Sequence, residues 1–190
     1  MPSRLLFTTL LLTLLPAGAA DRALASDAGV ESAFVRLAIV VADPERSKRF
    51  YTEGLGYRVT FEGDITRPAV RTQLGLAEGQ TAWFCVLASD NVVDGEQRDG
   101  AMIGLLAISN PAPATMRRPD GADLAIGEGM LAIVTSDIRA VRDRVAALGA
   151  RILLEPMRSP DGREWEMVLH DPDGVRIHVV ERTSPDGSSR

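Results

Sequence analysis

The two histidines of this protein lie in one short stretch of its sequence. His170 precedes the segment Asp171-Pro172-Asp173-Gly174, and His178 follows it. Proline and glycine at these positions favour a tight turn, and the β-forming residues on both sides predict a hairpin of two strands. Any chemistry that needs an imidazole must therefore use this hairpin. We interpret His170, which adjoins the turn, as a structural or surface residue.

His178 and Arg36 are the candidates for catalysis. Because side chains alternate along a strand, His178 shares a face with Arg176 and Val180. There it could transfer a proton, hydrogen-bond a ligand, or have its hydrogen bonds satisfied in a cleft that has no catalytic role. Arg36 lies among apolar residues in the first predicted strand. A guanidinium there would bind a carboxylate, phosphate or enolate oxygen, or form an internal ion pair, for example with Glu166.

The elements that must position these residues form a repeated pattern. Asp43-Pro44 and Asp137 are typical of helix starts, and glycines follow both predicted helices. The first unit is predicted to contain a helix that begins at 43–45 and strands at 34–41, 57–61, 81–88 and 101–108. The second is predicted to contain a helix at 138–148 and strands at 130–135, 151–154, 164–170 and 175–181. The pattern predicts an α+β fold of two βαβββ modules, and residues 65–74 are interpreted as a short helix over a binding face.

Two of these segments resemble one known family. The segment from Ala42 to Tyr57, followed much later by the Asp171–Gly174 turn, resembles the vicinal oxygen chelate superfamily, which includes glyoxalase I, bleomycin-resistance proteins, fosfomycin-modifying enzymes and extradiol dioxygenases. The resemblance implies that the two modules form a concave, mixed β-sheet cleft. It also implies that modules pair within one chain or across a homodimer.

The resemblance implies a divalent metal site, but the residues at the implied ligand positions do not suit one. These positions fall on Arg36, Gly104, Met130 and His178, of which only His178 is a plausible ligand. The permanent charge of an arginine would repel a cation. We therefore expect a cleft without a metal or cofactor, lined by Arg36, Gly104, Met130, Arg176 and His178.

These observations predict a protein that binds a small anionic or carbonyl-containing organic molecule. As a metal-independent lyase or isomerase it would use Arg36 to stabilise an anionic oxygen and His178 to move a proton. Two alternatives remain open. The protein could bind or sequester a small molecule without catalysis, or it could be a metal enzyme of glyoxalase or dioxygenase type with relocated ligands.

Composition limits the partners of this protein. The 190 residues carry a net charge of -5, and the basic residues are scattered along the chain. This balance argues against nucleic acid and against anionic membrane surfaces as partners. Cys85 has no second cysteine to pair with and lies in an apolar run, which predicts a buried and unreactive thiol.

The N-terminus predicts export. Arg4 precedes the apolar run Leu5–Leu15, and Ala23-Leu24-Ala25 fits a signal-peptide cleavage site. We interpret residues 1–25 as a signal peptide cut after Ala25, or after Ala20, and an uncleaved anchor is the alternative. Residues 26–33 would form a flexible leader, 34–108 module one, 109–128 a linker, 129–182 module two and 183–190 a disordered tail. The expected location is the periplasm or the outside of the cell, with no membrane association after cleavage.

Overall fold

The computed structural model describes residues 35–89, 92–93, 96–97, 102–115 and 124–182. The predicted signal peptide, leader and tail lie outside these residues. The chain divides between Arg36 and Leu37 into two units. Only Val35 and Arg36 of the first unit are described, and the remaining described residues belong to the second. None of the helices within the described ranges is long and apolar enough to cross a membrane.

Module one is built around a four-stranded sheet, called sheet 1, with the strand order β1-β6-β3-β2. Its helix α1 continues directly into a π-helical segment, Phe50–Gly54. The elements in chain order are β1 (Arg36–Val40), α1 (Pro44–Arg49), β2 (Arg58–Asp64), α2 (Pro68–Gln73), β3 (Thr81–Ala88), β4 (Val92–Val93), β5 (Glu96–Gln97) and β6 (Met102–Ser109). Strands β4 and β5 pair with each other as a separate two-stranded sheet.

Module two repeats this arrangement as sheet 2, with the strand order β7-β10-β9-β8. Its elements are β7 (Met130–Thr135), α3 (Ile138–Ala147), β8 (Arg151–Arg158), β9 (Glu164–His170) and β10 (Arg176–Arg182). Strand β10 runs parallel to β7 and antiparallel to β9. In each sheet the module's first strand lies beside its last, so the structure confirms the predicted α+β fold of two related modules.

Local sequence signals begin the first helix of each module. The Asp43 carboxylate accepts a hydrogen bond from the Arg46 backbone N–H at 3.0 Å, and Asp137 accepts one from Ala140 at 2.9 Å. Both carboxylates therefore satisfy a backbone donor that the helix leaves unpaired. Gly149 follows α3 with a φ of 78°, a left-handed conformation that favours glycine.

One hydrophobic core joins the two modules. It packs the π-helical segment Phe50–Gly54, α3 and one face of each sheet against one another. The largest fully buried side chains include Phe50, Tyr51, Leu87, Leu105, Met167 and Leu169. Because the buried residues of β3 alternate, a second and smaller cluster lies on the opposite face of sheet 1. It contains Ile65, Val70, Ala82, Phe84, Val86 and Leu106.

Two strands extend further than the sequence predicts. Strand β2 ends at Asp64 and β8 ends at Arg158, and both lie at a sheet edge. The pairing of β8 with β9 shifts register twice, between Ile152 and Leu154 and between Leu154 and Met157. An edge strand with such bulges tolerates Pro156, which lies two residues beyond the predicted end of the strand at Leu154.

Candidate functional site

The Asp171 carboxylate organises the turn that joins β9 to β10. It is buried, and it accepts hydrogen bonds from the Asp173 N–H at 2.9 Å, the Val175 N–H at 2.7 Å and the Tyr51 hydroxyl at 2.9 Å. Burial raises the pKa of the Asp171 carboxyl, and burial beside Asp171 raises the pKa of the Tyr51 phenol well above its ordinary value. The turn is therefore tied to module one through a buried side chain.

Asp173 makes a second connection between the modules. Its carboxylate accepts hydrogen bonds from the Ala42 N–H at 3.0 Å and from the fully buried Ser47 hydroxyl at 2.7 Å. The Arg46 guanidinium donates to the Pro172 carbonyl at 3.1 Å. These contacts hold the β9–β10 hairpin against the start of α1, and the hairpin carries both histidines.

The pairing of the strands on both sides of the turn places His178 in the middle of one face of sheet 2. His178 lies opposite Val168 of β9 and Ala132 of β7, while the neighbouring Ile177 and Val179 point into the core. We call the His178 side of the sheet the open face. Its residues, from the pairing of the four strands, are Met130, Ala132, Val134, Arg151, Leu154, Met157, Glu164, Glu166, Val168, Arg176, His178, Val180 and, at its buried end, His170.

Apolar side chains on the open face surround a pair of polar ones. Met130, Leu154 and Met157 are 55%, 37% and 47% exposed. His178 and Glu166 are partly buried, and the His178 Nε2 atom lies 3.7 Å from the Glu166 Oε2 atom. This separation allows an electrostatic interaction and exceeds a direct hydrogen bond. An imidazole and a carboxylate therefore lie together where a ligand could reach them.

The corresponding face of sheet 1 is closed. The short helix α2 covers it, because Val70 of α2 packs with Phe84 and Leu106 in the smaller hydrophobic cluster. Helix α2 confirms the short helix predicted within residues 65–74, and its position over a binding face stays a prediction. Gly104 is buried on this closed face, opposite Val86, whereas Met130 is exposed on the open face. These two residues, which are predicted to line one cleft, therefore lie on different sheets.

Arg36 is the first residue of β1 and is only partly buried. Burial lowers the pKa of its guanidinium from the ordinary arginine value. A shared site of Arg36 and His178 stays a prediction from the sequence. Arg176, also partly buried, lies two residues before His178 on the same face of β10, so the structure brings these two predicted residues together.

The residues at hand do not fit a divalent metal centre of the kind that the resemblance implies. Three of the four implied positions carry side chains that do not bind such an ion, and His178 has one carboxylate near it, that of Glu166. Within the described ranges, no three or more His, Cys, Asp or Glu side chains gather as a metal ligand set would.

Glu166 is the residue of this site that the sequence analysis does not connect with His178. Strand pairing supplies the connection, because the turn sets Arg176 opposite His170 and therefore Val180 opposite Glu166. Counting outward from the Asp171–Gly174 turn would have found it, since residues two positions apart share a strand face.

A separate groove of about 280 Å³ lies beside the turn, away from the open face. Two acidic and two basic side chains line it with an apolar floor, so its charges balance. The lining residues are Asp43, Glu45, Arg46, Arg49, Phe50, Leu148 and Pro172. Without an imidazole or a thiol, this groove is a poorer candidate for chemistry than the open face.

Comparison with known proteins identifies the family. The model of the Glyoxalase/Bleomycin resistance protein/Dioxygenase superfamily matches residues 33–179. The chain belongs to this superfamily. The match spans both modules, so the resemblance drawn from the helix and turn segments is confirmed, and superfamily membership indicates small-molecule binding or catalysis. A search among curated proteins gives no match.

Solved structures of the superfamily share the fold. A glyoxalase family protein from Bacillus cereus is 17% identical, with a TM-score of 0.66, and the match covers 84% of this chain and 100% of that one. Glyoxalase I from Zea mays is 20% identical, with a TM-score of 0.55, and the match covers 80% of this chain. The chain spans 45% of the Zea mays protein. At these identities the likeness concerns the fold alone.

Proposed function

We propose that this superfamily member binds a small organic molecule with a carbonyl or anionic group on the open face of sheet 2. The observation that carries the proposal is the position of His178, which is partly exposed among the exposed side chains of Met130, Leu154 and Met157. Small-molecule sites typically combine an apolar lining with a few polar groups that orient the ligand. The open face has this composition.

The apolar part of the face favours a ligand with a hydrocarbon portion. Methionine side chains adapt to ligands of different shape, and Met130 and Met157 lie on opposite edge strands of sheet 2. Arg176 supplies a positive charge on the same face. An anionic or carbonyl oxygen near Arg176, with the carbon skeleton over the methionines, would satisfy both kinds of side chain.

The reaction that fits this arrangement is a proton transfer next to a carbonyl, as in a metal-independent lyase or isomerase. The imidazole of His178 would take a proton from carbon, and a guanidinium would stabilise the enolate oxygen. Replacing His178 with Ala should then reduce turnover by about 10²-fold or more and leave ligand binding in place. A variant that keeps its turnover would contradict this catalytic role.

Binding without catalysis is the second candidate. The exposed Met130, Leu154 and Met157 give the open face an apolar part, and ligand sequestration needs such a surface without any proton transfer. Incubating bound carbonyl compounds in D₂O separates the two candidates. Exchange of a carbon-bound proton that depends on His178 favours the enzyme, whereas tight binding without exchange or turnover favours the binding protein.

Thermal denaturation with a panel of small carboxylic acids, keto acids and hydroxyketones tests the site itself. A ligand should raise the melting temperature of the protein. Met157→Glu should abolish this shift, because it places a charge on the open face, while Leu74→Glu, on an exposed residue of module one, should preserve it. A ligand shift that survives Met157→Glu would contradict the proposed location.

Arg36 is proposed to contribute to the binding of anionic ligands. Arg36→Ala should weaken the binding of anionic ligands several-fold, and unchanged affinity would remove Arg36 from the site.

The apolar run after Arg4 supports export to the periplasm or the medium. Mass spectrometry of the purified protein should find an N-terminus at Ser26, or at Asp21 for the earlier cut, and an intact Met1 would contradict cleavage of a signal peptide.

A further inference from the structure

We infer that Glu166 is a positioning residue that fixes the tautomer of His178 and leaves the Nδ1 atom as the proton acceptor. The inference rests on the proposed function, since it names the atom that would act in that site. It starts from the contact between His178 and Glu166, which joins neighbouring strands of the open face at an Nε2–Oε2 distance of 3.7 Å.

A neutral imidazole carries its proton on one nitrogen and a lone pair on the other. A carboxylate repels a lone pair and attracts an N–H group, so the Glu166 carboxylate favours the tautomer with the proton on Nε2. At 3.7 Å the two groups attract each other electrostatically, and a small side-chain movement brings them within direct hydrogen-bond distance. In both cases the lone pair that can accept a proton lies on Nδ1.

The neighbours of His178 do not oppose this tautomer. Among the described residues, Glu166 is the charged group whose contact with the imidazole is within ion-pair distance. The residues directly opposite His178, Val168 and Ala132, are apolar, and their side chains neither donate nor accept hydrogen bonds. Arg176 lies on the same face, but a guanidinium only donates hydrogen bonds and so does not hold a proton on the ring. The carboxylate is therefore the group that favours a ring proton on the nitrogen facing it.

This arrangement defines the proton transfer in the proposed reaction. A C–H bond next to the carbonyl of the substrate breaks, an N–H bond forms at Nδ1, and the electron pair moves onto the carbonyl oxygen to give an enolate. The imidazolium that results is stabilised by the nearby Glu166 carboxylate. The proton then returns from Nδ1 to a different carbon for an isomerase, or to the leaving group for a lyase.

The tautomer can be measured without any substrate. In ¹⁵N-labelled protein, long-range proton–nitrogen correlation should show only two histidine rings, and His178→Asn assigns the signal. We expect the neutral His178 ring to show a protonated Nε2 and an unprotonated Nδ1. Glu166→Gln should shift the ring toward a mixture of tautomers. Glu164→Gln, two residues earlier in β9, is the matched control and should leave the spectrum unchanged.

A wild-type ring protonated on Nδ1, or a spectrum that Glu166→Gln does not alter, would overturn the inference. Once a substrate is known, Glu166→Gln should lower kcat by about tenfold or more with little change in KM. An equal rise in KM with kcat unchanged would show that Glu166 binds substrate instead. The proposed function fails separately, if no ligand binds the open face, because the tautomer experiment uses the free protein.

Discussion

At the scale of single residues, the buried contact between Tyr51 and Asp171 is the most informative. It joins the two modules through one hydroxyl and one carboxylate, and both groups have a raised pKa because they are buried. For the Tyr51 phenol, the folded state favours the protonated form. Its contribution to stability is therefore fully present below the ordinary tyrosine pKa of about 10 and is lost as the pH rises through the folded value.

The phenol absorbance of this protein should report that contact. The sequence has two tyrosines, and burial raises the pKa of the second, Tyr57, as well. In a spectrophotometric titration we expect little phenolate in the folded protein near pH 10, and a steep rise only when the protein unfolds. Tyr51→Phe should lower the free energy of unfolding at neutral pH by about 1–3 kcal/mol, because Asp171 loses a hydrogen-bond donor. Phenolate appearing near pH 10 in the folded protein would contradict this account.

Cys85 gives a second prediction at this scale. It is fully buried, and burial raises the pKa of its thiol to about 11. Because the thiolate is the reactive form, Ellman's reagent should react with Cys85 only after the protein is unfolded. Fast labelling of the native protein would show that this part of sheet 1 opens readily.

At the scale of secondary-structure elements, the β9–β10 turn is also a connection between modules. Asp173→Ala removes the acceptor for the Ala42 N–H and the buried Ser47 hydroxyl, so it should lower the free energy of unfolding by about 1–3 kcal/mol. Asp143→Ala removes an exposed carboxylate of α3 and should have little effect. Equal effects in urea denaturation would contradict the role of the turn.

The packing of the π-helical segment Phe50–Gly54 against α3 depends on Gly54. A Cβ atom at this position would lie 3.1 Å from Val145 Cγ1 and 3.3 Å from Leu148 Cδ1. Gly54→Ala should therefore destabilise the protein by about 1–3 kcal/mol through overpacking. Gly63→Ala, where the nearest atom is 3.6 Å away, should be neutral or slightly stabilising. Urea midpoints in the reverse order would contradict the packing of Gly54 against α3.

The sequence predicts the elements better than it predicts their connections. The turn residues, the helix caps at Asp43 and Asp137, and the strand alternation that turns His178 away from the core are local signals. The bonds from Asp173 to Ala42 and Ser47 join residues more than 120 positions apart in the chain. No local pattern encodes such contacts. The sequence therefore predicts the Asp171–Gly174 turn but not the hydrogen bonds by which this turn connects the two modules.

At the scale of the whole molecule, the two modules share a strand order and differ in whether a helix covers one face of the sheet. Helix α2, between β2 and β3, closes the face of sheet 1 that contains Gly104, while module two goes from β8 to β9 without a helix and leaves the face around His178 open. The sequence predicts the repeat because each module has its own caps and strands. The sequence predicts the short helix α2. It does not predict which face of sheet 1 this helix covers, because that contact depends on tertiary packing.

The central claim is that a small organic molecule binds on the open face of sheet 2, and a histidine NMR titration tests it most directly. The protein has only two histidines, so the ring signals of His178 can be followed alone once His178→Asn has assigned them. A small carboxylic or carbonyl ligand that stabilises the protein should shift the His178 signals in proportion to its bound fraction. Saturable binding of that ligand with the His178 signals unmoved would contradict the claim.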